Sequence, residues 1–142
     1  MERSPNAYQI EAVTTVNAEA LTLYNSVGWT AYTKNITKLQ RAIQGSNFVV
    51  IVTIQENDTK ILIGLARAIS DDSSIAYIQD ILVHPDHQGH GLGKRLVQSI
   101  LHRYRHVRQK IPLTDDRPEQ LSFYHSLGFS TKQYTTQCFC DD

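Results

Sequence analysis

Neither sign of charge predominates in this chain of 142 residues, where fourteen Lys and Arg balance fourteen Asp and Glu. Without a net field there is no long-range attraction toward nucleic acid or an anionic membrane. Long apolar runs are missing too. None approaches the roughly 18 residues that a membrane-spanning helix needs. Met1-Glu2-Arg3-Ser4-Pro5 holds no apolar stretch of the kind found in secretory leaders. Cysteine is scarce, limited to Cys138 and Cys140. Their C-x-C spacing strains a disulfide, so free thiols in a reducing, cytoplasmic compartment are the expectation. Repeats, low-complexity tracts and long linkers are absent, and one domain spanning 1–142 is expected.

What is present is ordinary in bulk, 41% hydrophobic and 20% charged, and enough for a substantial core. Tyr8-Gln9-Ile10-Glu11-Ala12-Val13 alternates as a strand should. Asn17 is placed to cap a helix that uses Ala20, Leu21, Leu23 and Tyr24 and stops near Gly28, and a second helix fits Thr37–Gln44 before Gly45. Phe48–Ile54 and Ile61–Ile69 read as a hairpin about a turn at Glu56-Asn57-Asp58. Asp71-Asp72-Ser73-Ser74 turns the chain into a strand at Ile75–Val83. Leu92, Leu96, Val97, Ile100, Leu101 and Tyr104 then form a helical apolar stripe. Val107–Leu113 reads as a short strand, Pro118 opens a helix that ends at Gly128, and 129–139 supplies one or two last strands. The order β-α-α-β-β-β-α-β-α-β makes a mixed sheet with helices packed on it.

The informative junction is Gln88-Gly89-His90-Gly91-Leu92-Gly93, between the strand ending at Val83 and the helix beginning at Leu92. A helix start offers N–H groups with no intrahelical partner and a partial positive charge, a combination suited to phosphate. Glycines keep Cβ atoms out of the way and allow positive φ. A Walker A loop requires G-x-x-x-x-G-K-[ST]; Gly93-Lys94 is there, but Gln88 and Arg95 stand at the two ends. A G-x-G-x-x-G dinucleotide turn fails as well, because the glycines run 89, 91, 93. Residues 90–110 carry nine basic or histidine side chains, His90, Lys94, Arg95, His102, Arg103, Arg105, His106, Arg108 and Lys110, and no acidic one. They read either as a solvated helix face or as a positive rim for phosphates.

The pattern that does fit is [QR]-x-x-G-x-[GA] after Val83-His84-Pro85, and it resembles the acyl-CoA loop of the GNAT superfamily of N-acetyltransferases. Phe123-Tyr124-His125-Ser126-Leu127-Gly128-Phe129 resembles that family's second signature, about 30 residues on and in the same order. The likeness covers 48–130 closely; Asn17–Trp29 looks more loosely like the substrate-side helices of small bacterial members.

The resemblance implies a GNAT fold, a mixed and largely antiparallel sheet of about six to seven strands flanked by about four helices. It implies acetyl-CoA as co-substrate, no metal, and a primary amine as acceptor, on a small molecule or a protein. Homodimers are common in the family. By the resemblance Ile81, Leu82 and Val83 lie along the pantetheine arm, and Gln88, Gly89, His90, Gly91, Leu92, Gly93 and Lys94 wrap the pyrophosphate. Tyr124 stands near the thioester sulfur, in a gap where strands 75–83 and 107–113 splay. The chemistry agrees, since a phenol is a competent though weak acid for the departing thiolate and a main-chain N–H near Leu82 or Val83 suits the oxyanion.

Two positions depart from the family. An asparagine common seven residues before the tyrosine is replaced by Arg117, so that coenzyme contact falls to Arg117 or Asp116. Where relatives place a glutamate or histidine on the strand before the loop as general base, this chain offers Tyr77, Gln79 and Asp80; Asp80 acts through water, or is structural while bulk water takes the proton. His84, His87 and His90 have metal-ligand spacing, but Pro85 and the glycines place them in a turn, which favours coenzyme contacts. Tyr124 is spaced to be core as well as catalytic, and Trp29 and Tyr32 either line an acceptor pocket or pack the first helices. Two other classes retain the loop without the reaction: a non-catalytic acyl-CoA sensor and a nucleotide-binding regulatory domain.

Overall fold

The computed structural model describes residues 7–114, 116–131 and 135–138. In chain order the elements are β1 (Tyr8–Val13), α1 (Glu19–Ser26), the single turn α2 (Thr30–Thr33), α3 (Ile36–Gln44), β2 (Phe48–Glu56), β3 (Thr59–Ser70), β4 (Ile75–Val83), α4 (Leu92–Arg103), β5 (Gln109–Pro112) and α5 (Pro118–Ser126). The chain groups into two compact units, Met1–Ile111 and Pro112–Asp142.

The sheet runs β1-β2-β3-β4-β5, and β1–β2, β2–β3 and β3–β4 all pair antiparallel. Local chemistry explains the joints. Asn57 and Asp58 both take positive φ, 48° and 64°, the twist a two-residue hairpin requires. Asp71 folds the next turn, its Oδ1 accepting from the amides of Ser73, Ser74 and Ile75. Asn35 caps α3 by accepting from Lys38 N.

The mixed α/β class is as expected, but the sheet has five strands among the described residues rather than six or seven. The strands expected over 129–139 do not form at 129–131 or 135–138; residues 132–134 and 139 lie outside the described residues. Thr135, Thr136, Gln137 and Cys138 are exposed and present no apolar alternation. A β-branched run without a face to bury has little to hold it in a ladder. Among the described residues there are five α-helices rather than about four, because Thr30–Thr33 closes one turn that its composition does not announce.

An irregularity in β4 decides which of its side chains turn toward α1 and α3. Cross-strand partners share a face of the sheet, and in β3–β4 the register passes from Ala68↔Ile78 to Arg67↔Asp80, leaving Gln79 extra. This bulge reverses the alternation. Ile78 and Ile81 therefore share one face with Ala68 and Ala66, and Asp80 and Leu82 share the other with Arg67 and Leu65. That second face carries the cluster of Ala20, Leu23, Tyr24, Leu39, Ile43, Val49, Leu65 and Leu82 beneath α1 and α3. Helix α4 packs on β2, β3 and β4 through Leu92, Leu96, Val97 and Ile100, all buried. Each such side chain contributes about 1.5–3 kcal/mol of burial, which pins the start of α4 beside the end of β4.

Candidate acyl-CoA and acceptor sites

The glycine junction has the form that phosphate binding requires. After β4, a 3-10 turn at Pro85–His87 leads into the loop, and Gly89 and Gly91 take φ of +86° and +73°. A Cβ at either would meet nothing within 4 Å, so both are glycine because of backbone conformation and not crowding. Gly93 lies in the first turn of α4 and does not adopt positive φ. No side chain caps α4, and its first turn holds no acidic residue. Arg95 N is bonded to Gly91 O, so the amides of Leu92, Gly93 and Lys94 precede the first helical bond. With exposed Lys94 and Arg95 alongside, this donor set fits a diphosphate.

Gln88, the first residue of the motif, works backward along the chain. Its Nε2 donates to Val83 O at 3.0 Å, tying the loop to the strand end. His84 N donates to Ile63 O of β3 at 2.8 Å. Because successive residues of an antiparallel strand present their N–H and C=O to opposite sides, Leu82 also turns toward β3, and Ile81 and Val83 turn outward. Of the two oxyanion donors expected, the alternation therefore favours Val83 N–H. The histidines are engaged within the protein: His84 Nδ1 accepts from Asp86 N, the His84 and His87 rings lie 6.0 Å apart, and the His87 and His90 rings lie 5.8 and 5.7 Å from that of Tyr8.

Three residues back on β4, Asp80 occupies a different environment. It is 4% exposed. Its Oδ2 accepts from Arg67 Nε at 2.6 Å and Tyr24 Oη at 2.8 Å, and its Oδ1 accepts from Tyr32 Oη at 2.9 Å. Arg67 Nη1 donates onward to Ala42 O and Ser46 Oγ in and after α3. Burial works against the Arg67 charge, but the Asp80 carboxylate more than offsets it, and the guanidinium is held above its ordinary value. Burial, reinforced by the charge of Asp80, pushes the Tyr24 hydroxyl well above the usual phenol range. Both Asp80 oxygens are thus engaged by an ion pair and two hydroxyls and shielded from solvent, the arrangement of the structural alternative read for this residue.

Trp29 and Tyr32 both pack the first helices, and only Tyr32 also faces a cavity. With Tyr24 they form an aromatic cluster, at centroid separations of 5.2 to 6.1 Å, packed on the apolar core. Tyr32 also lines a cavity of about 250 Å³ with Ala31, Lys38, Leu39 and Ala42. Arg67 escaped the sequence reading, although an arginine inside Ile61–Ile69 is itself a signal, since a charge there demands a partner.

In the second unit, Tyr124 on α5 is buried and stands edge-on to Phe123 and Phe129 at 5.1 and 5.5 Å. Burial pushes its hydroxyl up to about 12, so it keeps its proton throughout the neutral range. Arg117 precedes α5, exposed and 3.6 Å from Glu119 Oε1; Asp116 is exposed beside it. The expectation of free thiols fails at Cys138, which is disulfide-bonded. The spacing argument weighed strain alone, and strain raises the energy of a C-x-C bond without forbidding it. Cys140 lies outside the described residues.

Comparison with known proteins agrees with this geometry. The family model described as the acetyltransferase (GNAT) family matches residues 14–129. A protein named uncharacterized N-acetyltransferase ycf52, from Gracilaria tenuistipitata var. liui, is 41% identical over 77% of this chain and 59% of its own length. A soybean (Glycine max) protein named histone acetyltransferase TAP1 is 36% identical over 75% of this chain and 48% of its own. The chain thus spans about three fifths and about half of these relatives. Among solved structures, a GNAT-family acetyltransferase from Streptococcus pneumoniae TIGR4 superposes with a TM-score of 0.80 at 25% identity, covering 94% of this chain and 98% of its own. A loop, a strand end and a family model that coincide on the same residues leave one conclusion: the chain belongs to the GNAT acetyltransferase family.

Proposed function

We propose that the chain is an acetyl-CoA-dependent N-acetyltransferase that moves an acetyl group to a primary amine, of a small molecule or a protein, by direct attack in a ternary complex. The observation that carries this is the junction at Gln88–Lys94, where two left-handed glycines and an uncapped helix present a row of amides to a diphosphate. The outward groups of Ile81, with the second lone pair of Val83 O, take the amides of the pantetheine arm as an added strand does, and exposed Lys94 and Arg95 add charge at the phosphates.

The amine nitrogen must arrive unprotonated, since an ammonium has no lone pair; near pH 7 most of an alkylamine is charged. Solvent water takes the proton, both before attack and as the C–N bond forms. Val83 N–H donates to the carbonyl oxygen as it gains charge. The C–S bond breaks, and Tyr124 gives its proton to the leaving sulfur and recovers one from water. No acyl-enzyme is needed, because holding both reactants supplies the proximity. The soybean relative's name keeps a protein amine among the acceptors.

The test is thiol release from acetyl-CoA across a panel of amines, with the product identified by mass. Tyr124→Phe is expected to lower kcat about a hundredfold while leaving CoA affinity within about twofold. CoA binding without turnover on any amine overturns catalysis in favour of a sensor. Thermal stabilisation by ATP but not by CoA overturns the whole reading in favour of a nucleotide-binding regulator.

A further inference from the structure

Asp80 is the one buried carboxylate among the described residues, and acetyl-CoA binding makes no use of it. Two of its three partners are sealed, Tyr24 at 0% and Arg67 at 4% exposure. Tyr32 is not sealed. It is half-buried, and its ring walls the cavity between α2 and α3. A phenol has one proton, and that of Tyr32 is committed to Asp80 Oδ1. Toward a ligand Tyr32 Oη therefore acts only as an acceptor. Arg67 also hydrogen-bonds this hydroxyl, and Gln79 Nε2, at 3.5 Å, stands at the outer limit of a hydrogen bond, so one lone pair stays weakly contested.

The chemistry that matches a fixed acceptor is an N–H donor. Arg67 and Asp80 cancel each other's charge, so the network supplies no counter-ion for an ammonium and suits the neutral amine, the form that attacks. Ala31, Leu39, Ala42 and the Tyr32 ring make the cavity walls apolar, a match for an alkyl or similar arm. Lys38, exposed on the same cavity, opposes a second positive charge.

We infer that this cavity takes the apolar arm of a primary monoamine whose nitrogen donates to Tyr32 Oη, with Asp80 and Arg67 as positioning residues that fix the hydroxyl. The inference rests on the acetyl-transfer reading and narrows its acceptor. Trp29 is the chain's one tryptophan, and its ring lies 6.1 Å from that of Tyr32, so its fluorescence reports amine binding without turnover. The experiment titrates n-hexylamine against this signal at about pH 9, counting only the free-base fraction as ligand, with CoA binding followed separately by calorimetry.

The wild-type protein is expected to saturate. Tyr32→Phe weakens hexylamine about tenfold and raises its KM by a similar factor, with kcat and CoA affinity within about twofold. Ala31→Leu, at an exposed position that tolerates the change, fills the cavity and weakens hexylamine at least as much. Lys38→Glu is expected to improve spermidine binding. No saturation in the wild type, or wild-type affinity in both Tyr32→Phe and Ala31→Leu, overturns the inference. Saturation by hexylamine in a protein that does not bind CoA upholds the cavity and removes the acetyl-transfer reading; CoA binding with no hexylamine response does the reverse.

Discussion

Two sites hang three residues apart on β4, and they are built in opposite ways. At Val83 the chain enters a loop whose functional groups are main-chain amides, exposed and arranged by two glycines and a helix start. At Asp80 the functional groups are side chains from three elements besides β4, buried and closed around one carboxylate. The loop takes its geometry from neighbours in sequence. The Asp80 network spans 56 positions to Tyr24 and 13 to Arg67. Stability and ligand binding should accordingly separate between the two: damage to the loop shows in binding, and damage to the network shows first in folding.

The largest effect expected is at Arg67. Removing one partner of a buried ion pair strands the other, at about 3–5 kcal/mol. Arg67→Leu should lose that much in urea unfolding, while CoA affinity, measured where the variant is folded, stays close to wild type. Replacing both charges, as Arg67→Leu with Asp80→Leu, should cost less than Arg67→Leu alone, because no uncompensated charge remains. A double variant that is less stable than the single would show that the hydroxyls of Tyr24 and Tyr32, and not the ion pair, dominate the network.

The loop should answer in the opposite sense. Gly91→Ala places a Cβ on a left-handed residue, at about 1–2 kcal/mol, and relief of that strain moves the amides away from the phosphates. CoA affinity by calorimetry is expected to fall at least tenfold, against a loss in unfolding free energy well below that of Arg67→Leu. If Gly91→Ala binds CoA like the wild type, the amide row is not the diphosphate grip and the contrast between the two sites collapses.

The same contrast explains how much of the molecule is legible in its residues. The β1 and β4 boundaries, the hairpin at Asn57-Asp58, the start of α4 at Leu92 and the close of α5 before Gly128 all come from periodicity and turn chemistry within a few residues, and the structure has them there. The glycine loop is legible for the same reason. The bulge at Gln79 is not. Regular alternation along Tyr77-Ile78-Gln79-Asp80 would put Asp80 on the same face as Ile78, and only the β3 register reveals the reversal. Arg67 stands out in its apolar run as a charge that needs a partner, and Tyr24 looks like an ordinary helix residue, but neither says which partner it has. Their meaning depends on a partner far along the chain, and residue spacing carries no information on that.

The smallest effect lies within the network, at Tyr24. Tyr24→Phe removes one hydrogen bond to Asp80 and leaves the ion pair, which amounts to about 1 kcal/mol at pH 7. Its pH dependence is more telling. Burial raises the Tyr24 pKa in the folded state above its ordinary value of 10.0, so above pH 10 the unfolded chain releases a proton that the native chain retains. Stability then falls as pH rises, by at most about 1.4 kcal/mol per pH unit for each such group; below 10 the contribution is complete and the curve is flat. Tyr124, held up to about 12, adds to the same alkaline decline. Unfolding midpoints measured from pH 7 to 11 should therefore hold level and then drop, and Tyr24→Phe should flatten the drop by up to one proton. An unchanged alkaline slope in Tyr24→Phe would mean that the hydroxyl is solvated in solution and that the network opens at Tyr24, making the two ends of β4 less different than their burial implies.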